Sequence, residues 1–225
     1  RIKHAKNVVY TGTPVKIKKR NYNEQQKKEI IRKMGLNENM PIVLVFGGSQ
    51  GARRINNAIM EIIESGKNEQ YQVIWATGPK QYDVIKEQLE NEHKNINHIK
   101  NMKILPYIYN MEEIMNIVDV IVARSGAMTI TEISNLGKPS ILVPLPNVSH
   151  DHQLYNAKVL ENIKAAKIIL DNTLDGEILN QNIEKIVLNK ETCQEMGKNA
   201  LKIATSDVED KIYEQIIKTI HQKTS

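Results

Sequence analysis

Residues 42–54 read IVLVFGGSQGARR, an apolar strand pattern that passes through a glycine-rich loop into a helical pattern. The first five residues, Ile42 to Phe46, are apolar and mostly β-branched, which predicts a buried strand. The glycines that follow allow a tight turn, and helical spacing begins at Ala52. This order is typical of the strand, loop and helix of a βαβ unit in a parallel sheet.

The glycine loop at 47–51 also suits a phosphate. Glycines let the backbone approach a ligand closely, and a helix N-terminus offers free N–H groups and a partial positive charge. The stretch does not match G-x-G-x-x-G, and it lacks the Lys-Ser/Thr pair of a P-loop. From these residues alone, a purely structural strand-to-helix turn and a phosphate site are about equally good interpretations.

Outward from this stretch, short apolar runs alternate with segments of helical period, which predicts a Rossmann-like, doubly wound parallel sheet of the α/β class. The predicted strands are Ile42 to Phe46, Gln72 to Ala76, Met102 to Leu105, Val118 to Ala123, Ser140 to Val143 and Ala166 to Leu170. The predicted crossover helices are Ala52 to Glu64, Gln81 to Glu90, Met111 to Asn116, Ala127 to Leu136 and Asp151 to Ile163.

Both ends of the chain depart from this alternation. After Leu170 only helices are predicted, at 174–188, 191–203 and 208–221, and the last carries an apolar stripe that needs a partner surface. At the other end, Asn7 to Thr11 predicts a strand, and residues 21–40 predict a polar helix and turn. The chain begins with Arg1 rather than Met, so we expect a piece of a longer protein.

Composition excludes several classes of protein. The chain has 225 residues, of which 40% are hydrophobic and 25% charged, which is ordinary globular usage. No apolar run approaches the roughly 18 residues of a membrane-spanning helix, and the one cysteine, Cys193, cannot form an internal disulfide, so we expect a cytoplasmic protein. The net charge of +5 includes one dense basic run at 16–20, but aromatic residues are few, so a nucleic-acid partner is not expected.

The loop after the fourth predicted strand is a second candidate for ligand contact, because ligands of open parallel sheets bind outside the carboxyl ends of the strands. It reads Arg-Ser-Gly from Arg124 and opens the helix that carries Glu132. Glu132 lies about 200° around the helix from Ile130, away from the apolar face. Its carboxylate is free to accept hydrogen bonds from ribose hydroxyls, although a solvated surface glutamate is the simpler interpretation of the spacing.

The loop at 144–153 follows the fifth predicted strand and ends in Ser-His-Asp-His-Gln. His150, Asp151 and His152 are consecutive, so they fan out by about 100° each on a helix and do not converge on one ion; no metal site is predicted. We expect a polar cap with Gln153 facing a ligand. Cys193, with no nearby histidine in sequence, is expected to be an inert thiol.

The three loops, in this order and spacing, resemble the donor-binding half of the MurG family of N-acetylglucosaminyltransferases. The matching segments are Thr-Gly-Thr-Pro-Val at 11–15, Gly-Gly-Ser-Gln-Gly-Ala-Arg at 47–53, Arg-Ser-Gly-Ala-Met-Thr-Ile-Thr-Glu-Ile at 124–133 and His-Gln-Leu-Tyr-Asn-Ala at 152–157. In this order they run from Thr11 to Ala157. The resemblance implies the GT-B architecture, in which two Rossmann-like domains face each other across a cleft and the C-terminal one holds the sugar nucleotide.

The resemblance also implies roles for individual residues. Ser49 in its glycine loop would meet the diphosphate, Ile108 would contact uracil through its backbone, and Gln153 would hold GlcNAc hydroxyls. Six consecutive residues would line the nucleotide: Ala127, Met128, Thr129, Ile130, Thr131 and Glu132. Glu132 would bind the ribose hydroxyls. Two positions depart from the family pattern. Lys16 stands where arginine is usual and loses the bidentate fork, and His152 replaces a second glutamine.

The reaction that the resemblance implies is an inverting displacement, in which a hydroxyl of lipid I attacks the GlcNAc carbon of UDP-GlcNAc, and UDP leaves and lipid II forms. Helix N-termini and Lys16 would stabilise the leaving diphosphate in place of a metal, and no cofactor is implied. The family's candidate base belongs to the N-terminal domain, so the catalytic residues are unknown here and the chain alone is expected to be inactive.

The resemblance predicts three regions. Residues 1–40 would be the end of an N-terminal domain and a linker, 41–206 the UDP-GlcNAc-binding domain, and 207–225 a helix that docks on the N-terminal domain. That domain would also bind lipid I and supply most of the contact with the inner face of the membrane. Two other functions stay open: another GT-B sugar-nucleotide enzyme, such as an epimerase or glycolipid synthase, and a non-enzymatic nucleotide-sensing module.

Overall fold

The centre of the fold is a parallel sheet of six short strands. The structure is a computed structural model and describes residues 8–48, 50–146 and 151–223. The strands are β1 (Ile42–Phe46), β2 (Gln72–Ala76), β3 (Met102–Leu105), β4 (Val120–Ala123), β5 (Ser140–Leu142) and β6 (Ala166–Ile168). Their order across the sheet is β3-β2-β1-β4-β5-β6. The predicted α/β fold class and the doubly wound sheet are therefore confirmed.

Nine α-helices surround this sheet in the part of the chain that the structure describes. They are α1 (Glu24–Lys33), α2 (Arg53–Ser65), α3 (Pro79–Asn91), α4 (Met111–Ile117), α5 (Ala127–Leu136), α6 (His152–Asn162), α7 (Gly176–Val187), α8 (Lys190–Leu201) and α9 (Val208–Lys223). Three of them begin at a side chain that caps the first turn. Asn23 accepts from the Gln26 N–H at the start of α1, and Asp175 and Asn189 do the same for α7 and α8.

Alternation along each strand divides the apolar side chains between two cores. Val43 and Val45 of β1 face one core, which α2, α3 and α7 cover. Leu44 and Phe46 face the other, which α1, α4, α5 and α6 cover. Every residue of β1, β2 and β4 is buried, because helices cover both faces of a parallel sheet.

Several predicted boundaries differ from the structure. The strand predicted at Asn7 to Thr11 is wrong where the structure describes it, because residues 8–11 are irregular and pair with no strand. Val118 is extended but ends α4 rather than joining the sheet, so β4 starts at Val120. The predicted helix at 208–221 is present as α9. No helix among the described residues is long and apolar enough to cross a membrane.

The strand order places the predicted ligand loops side by side. β1 lies between β2 and β4, so the chain leaves β1 toward one side of the sheet and returns to its other side at β4. At such a point the loops after neighbouring strands separate and leave a crevice at the carboxyl edge. The loops that follow β1, β4, β5 and β6 border this crevice.

Candidate functional site

A cleft of about 640 Å³ opens at the carboxyl edge of the sheet. Its lining comes from the loops after β1, β4, β5 and β6 and from the first turns of α2, α5 and α6. The residues that line it are Gly47, Gly48, Gly51, Ala52, Arg53, Arg54, Asn57, Arg124, Gly126, Thr129, Leu145, Gln153 and Asp171. A cleft of this size, with polar and charged groups converging on it, is suited to a small molecule.

The glycine loop lies against the loop after β2. Gly51 has φ +77°, and a Cβ built on it would lie 2.1 Å from the carbonyl oxygen of Thr77, so only glycine fits. Asn56 holds the two loops together, because its amide Nδ2 donates to the Thr77 oxygen over 2.9 Å and its Oδ1 accepts from the Trp75 indole N–H over 3.0 Å. Gly48 has open space beside it, which leaves that part of the loop available to a ligand.

Two helices begin at the cleft without a capping side chain. Ala52 is the N-cap of α2 and Gly126 is the N-cap of α5, and no side chain caps the first turn of either helix. The N–H groups of these turns therefore keep their capacity to donate to a ligand, and the aligned peptide dipoles favour an anion. This geometry supports the phosphate interpretation of the glycine loop.

Arginine side chains add positive charge to the cleft. Arg124 Nη1 donates to the carbonyl oxygens of Val143 and Pro144 over 3.1 Å and 3.3 Å. The same nitrogen lies 2.5 Å from Asp171 Oδ1. Arg54 Nε donates to the main-chain oxygen of Asp171 over 3.0 Å. With Arg53, the lining holds three arginines and one acidic residue, so its net charge favours an anionic ligand.

Hydrogen bonds fix α6 to the loop after β4. The buried Ser125 hydroxyl donates to the main-chain oxygen of Gln153 over 2.8 Å, and Asn156 Nδ2 donates to the Ser125 oxygen over 3.0 Å. Gln153 Oε1 accepts from the Leu145 N–H over 3.0 Å. This leaves the Gln153 amide NH₂ group to donate toward the cleft, where the predicted sugar contact requires a hydrogen-bonding group.

The predicted nucleotide-lining segment forms the start of α5. Thr129 lines the cleft, and Ala127 and Met128 are exposed in the same first turn. Ile130 instead packs against the apolar core below, and the Thr131 hydroxyl donates to the Ala127 oxygen over 3.0 Å. Glu132 is half-buried, and this partial desolvation raises the pKa of its carboxyl above the ordinary value.

Of the predicted site residues that the structure describes, Thr129 and Gln153 are among those that line the cleft, whereas Glu132, Ile108 and Lys16 are not. Ile108 as a whole is only 3% exposed and packs in the core beyond β3, so its contact with uracil stays a prediction. Lys16 is exposed in the irregular segment before α1. Ser49 and His150 lie outside the described residues. Within the described ranges, no three His, Cys, Asp or Glu side chains are grouped to hold a metal ion.

Sequence reasoning assigned no role to Arg124 and did not consider Asp171. Arg124 opens the Arg-Ser-Gly loop after the fourth predicted strand, and Asp171 follows directly after the sixth. The rule that ligands bind at the carboxyl ends of strands would therefore have pointed to both residues. Their pairing was not visible in sequence, because they lie 47 positions apart.

Solved glycosyltransferases share this fold. MurG of Acinetobacter baumannii superimposes with a TM-score of 0.68 and 27% identity, over 87% of this chain and 53% of that one. The glycosyltransferase VinC, solved in complex with DTDP, gives a TM-score of 0.58 at 14% identity, over 79% of this chain and 41% of that chain. At 14% identity the second likeness shows the fold alone.

Curated relatives are closer in sequence. The UDP-N-acetylglucosamine--N-acetylmuramyl-(pentapeptide) pyrophosphoryl-undecaprenol N-acetylglucosamine transferase of Bacillus cytotoxicus is 40% identical over 216 residues, and that of Acetivibrio thermocellus is 38% identical. The matches cover 96% and 95% of this chain but only 57% and 56% of the relatives. The family model for the glycosyltransferase family 28 C-terminal domain matches residues 42–212. The chain therefore belongs to the family of glycosyltransferase family 28 C-terminal domains.

Proposed function

We propose that the chain is the donor-binding part of an inverting hexosyltransferase that moves GlcNAc from UDP-GlcNAc to lipid I and forms lipid II in peptidoglycan synthesis. The cleft carries this proposal, because it combines a glycine loop, two uncapped helix N-termini and three arginines at the carboxyl edge of the sheet. The names of relatives that are 38–40% identical support the choice of donor and acceptor.

In the proposed complex the diphosphate lies against the glycine loop and the N-terminus of α2, with Ser49 and Lys16 as further contacts. Uracil meets the backbone of Ile108, and Glu132 accepts hydrogen bonds from the ribose hydroxyls. The Gln153 amide donates to GlcNAc hydroxyls, because its carbonyl oxygen is already occupied by Leu145. The first two turns of α5, from Ala127 to Glu132, line the nucleotide.

The proposed reaction forms a bond from the lipid I hydroxyl to the anomeric carbon and breaks the bond to UDP. The hydroxyl proton passes to a base, and the electron pair of the broken bond goes to the diphosphate. Arginines and helix N-termini stabilise the negative charge that develops on this leaving group. We place the base and the lipid I site in a part of the protein beyond these 225 residues, which span a little over half of the relatives' length.

The proposed division of the chain follows from this arrangement. Residues 41–206 form the nucleotide-binding domain, 1–40 lead into it from an N-terminal domain, and 207–225 dock on that domain. Ile216 and Ile220 of α9 are each 53% exposed, which supports a partner surface there. We further propose that the whole enzyme works in the cytoplasm, peripheral on the inner face of the membrane and held there mainly by its N-terminal domain.

Calorimetric titration with UDP-GlcNAc and UDP tests the donor site. We expect binding to the wild-type chain and weaker binding to Glu132→Gln, because the amide replaces one hydrogen-bond acceptor with a donor. Glu87→Gln is the matched control, since Glu87 is an exposed helix glutamate outside the cleft. If neither ligand binds at millimolar concentration to the wild-type chain, the proposed donor site is wrong.

Titration with UDP-Glc and UDP-GalNAc tests the sugar. If Gln153 donates hydrogen bonds to the GlcNAc hydroxyls, UDP-GlcNAc binds more tightly than UDP-Glc and UDP-GalNAc. Gln153→Ala should then reduce this difference in affinity. UDP serves as the control ligand, because it has no sugar and its affinity should change little in this variant. Equal affinity for all three sugars, or a preference for another one, would favour a different GT-B sugar-nucleotide enzyme.

A further inference from the structure

Arg124 divides its hydrogen-bonding capacity between the protein and the cleft. A guanidinium has five N–H donors, two of them on Nη1. Nη1 makes all of the contacts with protein groups, namely the Val143 oxygen, the Pro144 oxygen and the Asp171 carboxylate. Nε and Nη2 donate to no residue in the part of the chain that the structure describes. Three N–H donors of a residue that lines the cleft are therefore not used by the described residues.

Asp171 is the one acidic residue among the described residues that line the cleft. The side chains of Arg124 and Asp171 are only 12% and 21% exposed, less than those of any other ion pair among the described residues. Desolvation of both charges offsets much of their attraction, but removing one of them leaves the other unpaired. A substitution of Asp171 must therefore keep an oxygen acceptor for Arg124.

The orientation of Arg124 does not depend on Asp171 alone. The carbonyl oxygens of Val143 and Pro144 hold the same guanidinium nitrogen from the end of β5. The Asp171 carboxylate instead neutralises Arg124 while the cleft is empty. A phosphate that accepts from Nε and Nη2 competes with this carboxylate for the positive charge of the guanidinium and is repelled by it, since both are anions.

We propose that Asp171 is a built-in counter-ion that competes with the ligand diphosphate for Arg124 and so lowers the affinity of the cleft for nucleoside diphosphates. The competition rests on the nucleotide site proposed above. In a transferase, the leaving nucleoside diphosphate carries more charge than it did as the sugar ester. A counter-ion that returns to Arg124 would therefore favour release of this product.

The test compares wild type with Asp171→Asn by calorimetric titration at low ionic strength. Asparagine keeps the shape and one oxygen acceptor for Arg124 but removes the charge. We expect Asp171→Asn to bind UDP about three- to tenfold more tightly, as the loss of one or two charge repulsions at a solvent-accessible site implies. The gain should be smaller for UMP and absent for uridine. It should shrink in about 1 M salt, where screening is strong.

Asp175→Asn is the matched control. Asp175 lies four positions along the same segment, outside the cleft lining, and caps α7 by accepting from Ile178 N–H; asparagine caps equally well. Inorganic pyrophosphate is a fourth ligand, used as a probe without the nucleoside. Asp175→Asn removes the same charge and should leave the affinities for UDP, UMP, uridine and pyrophosphate unchanged. Melting temperatures of both variants show whether each one is folded.

Each outcome decides the proposal. Unchanged or weaker UDP binding by a folded Asp171→Asn protein overturns the counter-ion, and weaker binding would instead make Asp171 a positioning residue for Arg124. If pyrophosphate binds more tightly to Asp171→Asn while UDP binds neither protein, the counter-ion stands and the nucleotide site is wrong. If neither pyrophosphate nor UDP binds wild type or variant, both proposals are wrong.

Discussion

Glu132 connects the environment of a single carboxyl to the ligand that it is proposed to hold. Partial burial raises the pKa of Glu132 above its ordinary value, so the folded protein holds this proton to higher pH than a free glutamate does. Ribose hydroxyls donate to the charged carboxylate, and binding therefore favours the deprotonated form. Ligand affinity and the ionisation of this one side chain are thus linked.

The affinity for UDP should consequently increase as pH rises through the pKa of Glu132 and then become constant. In Glu132→Gln this increase should be absent, because glutamine does not titrate. The measurement is the UDP dissociation constant from about pH 5 to 8 for both proteins, whose ratio cancels the ionisation of the ligand phosphate. A ratio that stays constant over this range would show that Glu132 does not contact the ligand as a carboxylate.

Lys138 is a second titratable residue with a shifted pKa, at the opposite edge of the sheet. Burial lowers the pKa of its ammonium group to about 8, although the nearby Asp119 carboxylate opposes this shift. Its Nζ donates to the main-chain oxygens of Asn116 and Val118 over 2.8 Å and 2.6 Å. These oxygens lie at the end of α4, so the charged side chain is held in a poorly solvated position.

The stability of the fold should therefore rise with pH through this range. The folded protein releases the Lys138 proton near pH 8 and the unfolded chain near its ordinary value of 10.5, so the unfolded state binds more protons between these values. We expect a gain of about 0.7 kcal/mol in unfolding free energy between about pH 7.5 and 8.5. Urea denaturation measures this gain.

Lys138→Met is the control for that titration. Methionine fills the same space without a charge, so the variant should lose the pH-dependent gain whatever its absolute stability. Burial raises the pKa values of Cys193 and Tyr71, so their ionisation in the unfolded state lowers the stability of the fold as pH rises. This effect occurs mainly above about pH 8.5, and the measured range therefore stops there. An equal slope in both proteins would assign the gain to another group.

Among the elements, the glycine loop after β1 shows how close backbone packing fixes a site. Gly51 combines a left-handed backbone with a distance of 2.1 Å from its would-be Cβ to the Thr77 oxygen. Gly35 has nearly the same backbone, φ +75°, but open space around it. Comparing alanine substitutions at the two glycines therefore distinguishes the free-energy cost of the backbone conformation from that of the steric clash.

Gly51→Ala should lower the unfolding free energy by about 2 to 4 kcal/mol, and Gly35→Ala by only about 1 kcal/mol. The additional loss in Gly51→Ala comes from moving the loop away from β2. Because the same loop borders the cleft, UDP affinity should fall in Gly51→Ala and stay unchanged in Gly35→Ala. Equal destabilisation by the two substitutions would mean that the contact with Thr77 relaxes easily.

On the scale of the whole protein, α9 exposes three large apolar side chains, namely Tyr213, Ile216 and Ile220. Val208 at its start is buried, whereas Tyr213 and Ile216 are 66% and 53% exposed. Thr11 of the irregular N-terminal segment lies in the same apolar groove as Ile212 and Ile216. The irregular segment around Thr11 and α9 thus meet at this surface, which we propose to be covered by the remainder of the protein.

Lipid II synthesis from UDP-GlcNAc and lipid I should be undetectable with the 225 residues alone and should appear when the remaining length found in the relatives is added. Ile216→Lys should reduce that activity by weakening the contact, while the melting temperature of the 225-residue chain changes little. Leu188→Lys is the control, since Leu188 is similarly exposed but lies between α7 and α8. Lipid II synthesis by the chain alone would contradict the proposed division of labour.

The sequence by itself determined the elements and the loops of the fold. Period-two and period-3.6 patterns are local properties, so the six strands, the crossover helices and the loops at the carboxyl ends were predictable from short windows. The glycine loop and the start of α5 were found in the same way. The strand predicted at 7–11 failed, because β-branched residues favour an extended backbone but do not supply a neighbouring strand.

Tertiary structure alone decided which of these loops share a cleft. The Arg124–Asp171 pair exists because β6 lies beside β5 and β5 beside β4, an order that no local pattern encodes. The same holds for Lys138, whose pKa depends on the burial of its ammonium group and on Asp119, 19 residues away. The periodicity of a segment indicates which of its side chains are buried and which are exposed. Charge pairing instead depends on distances between segments, and only the packed sheet sets those distances.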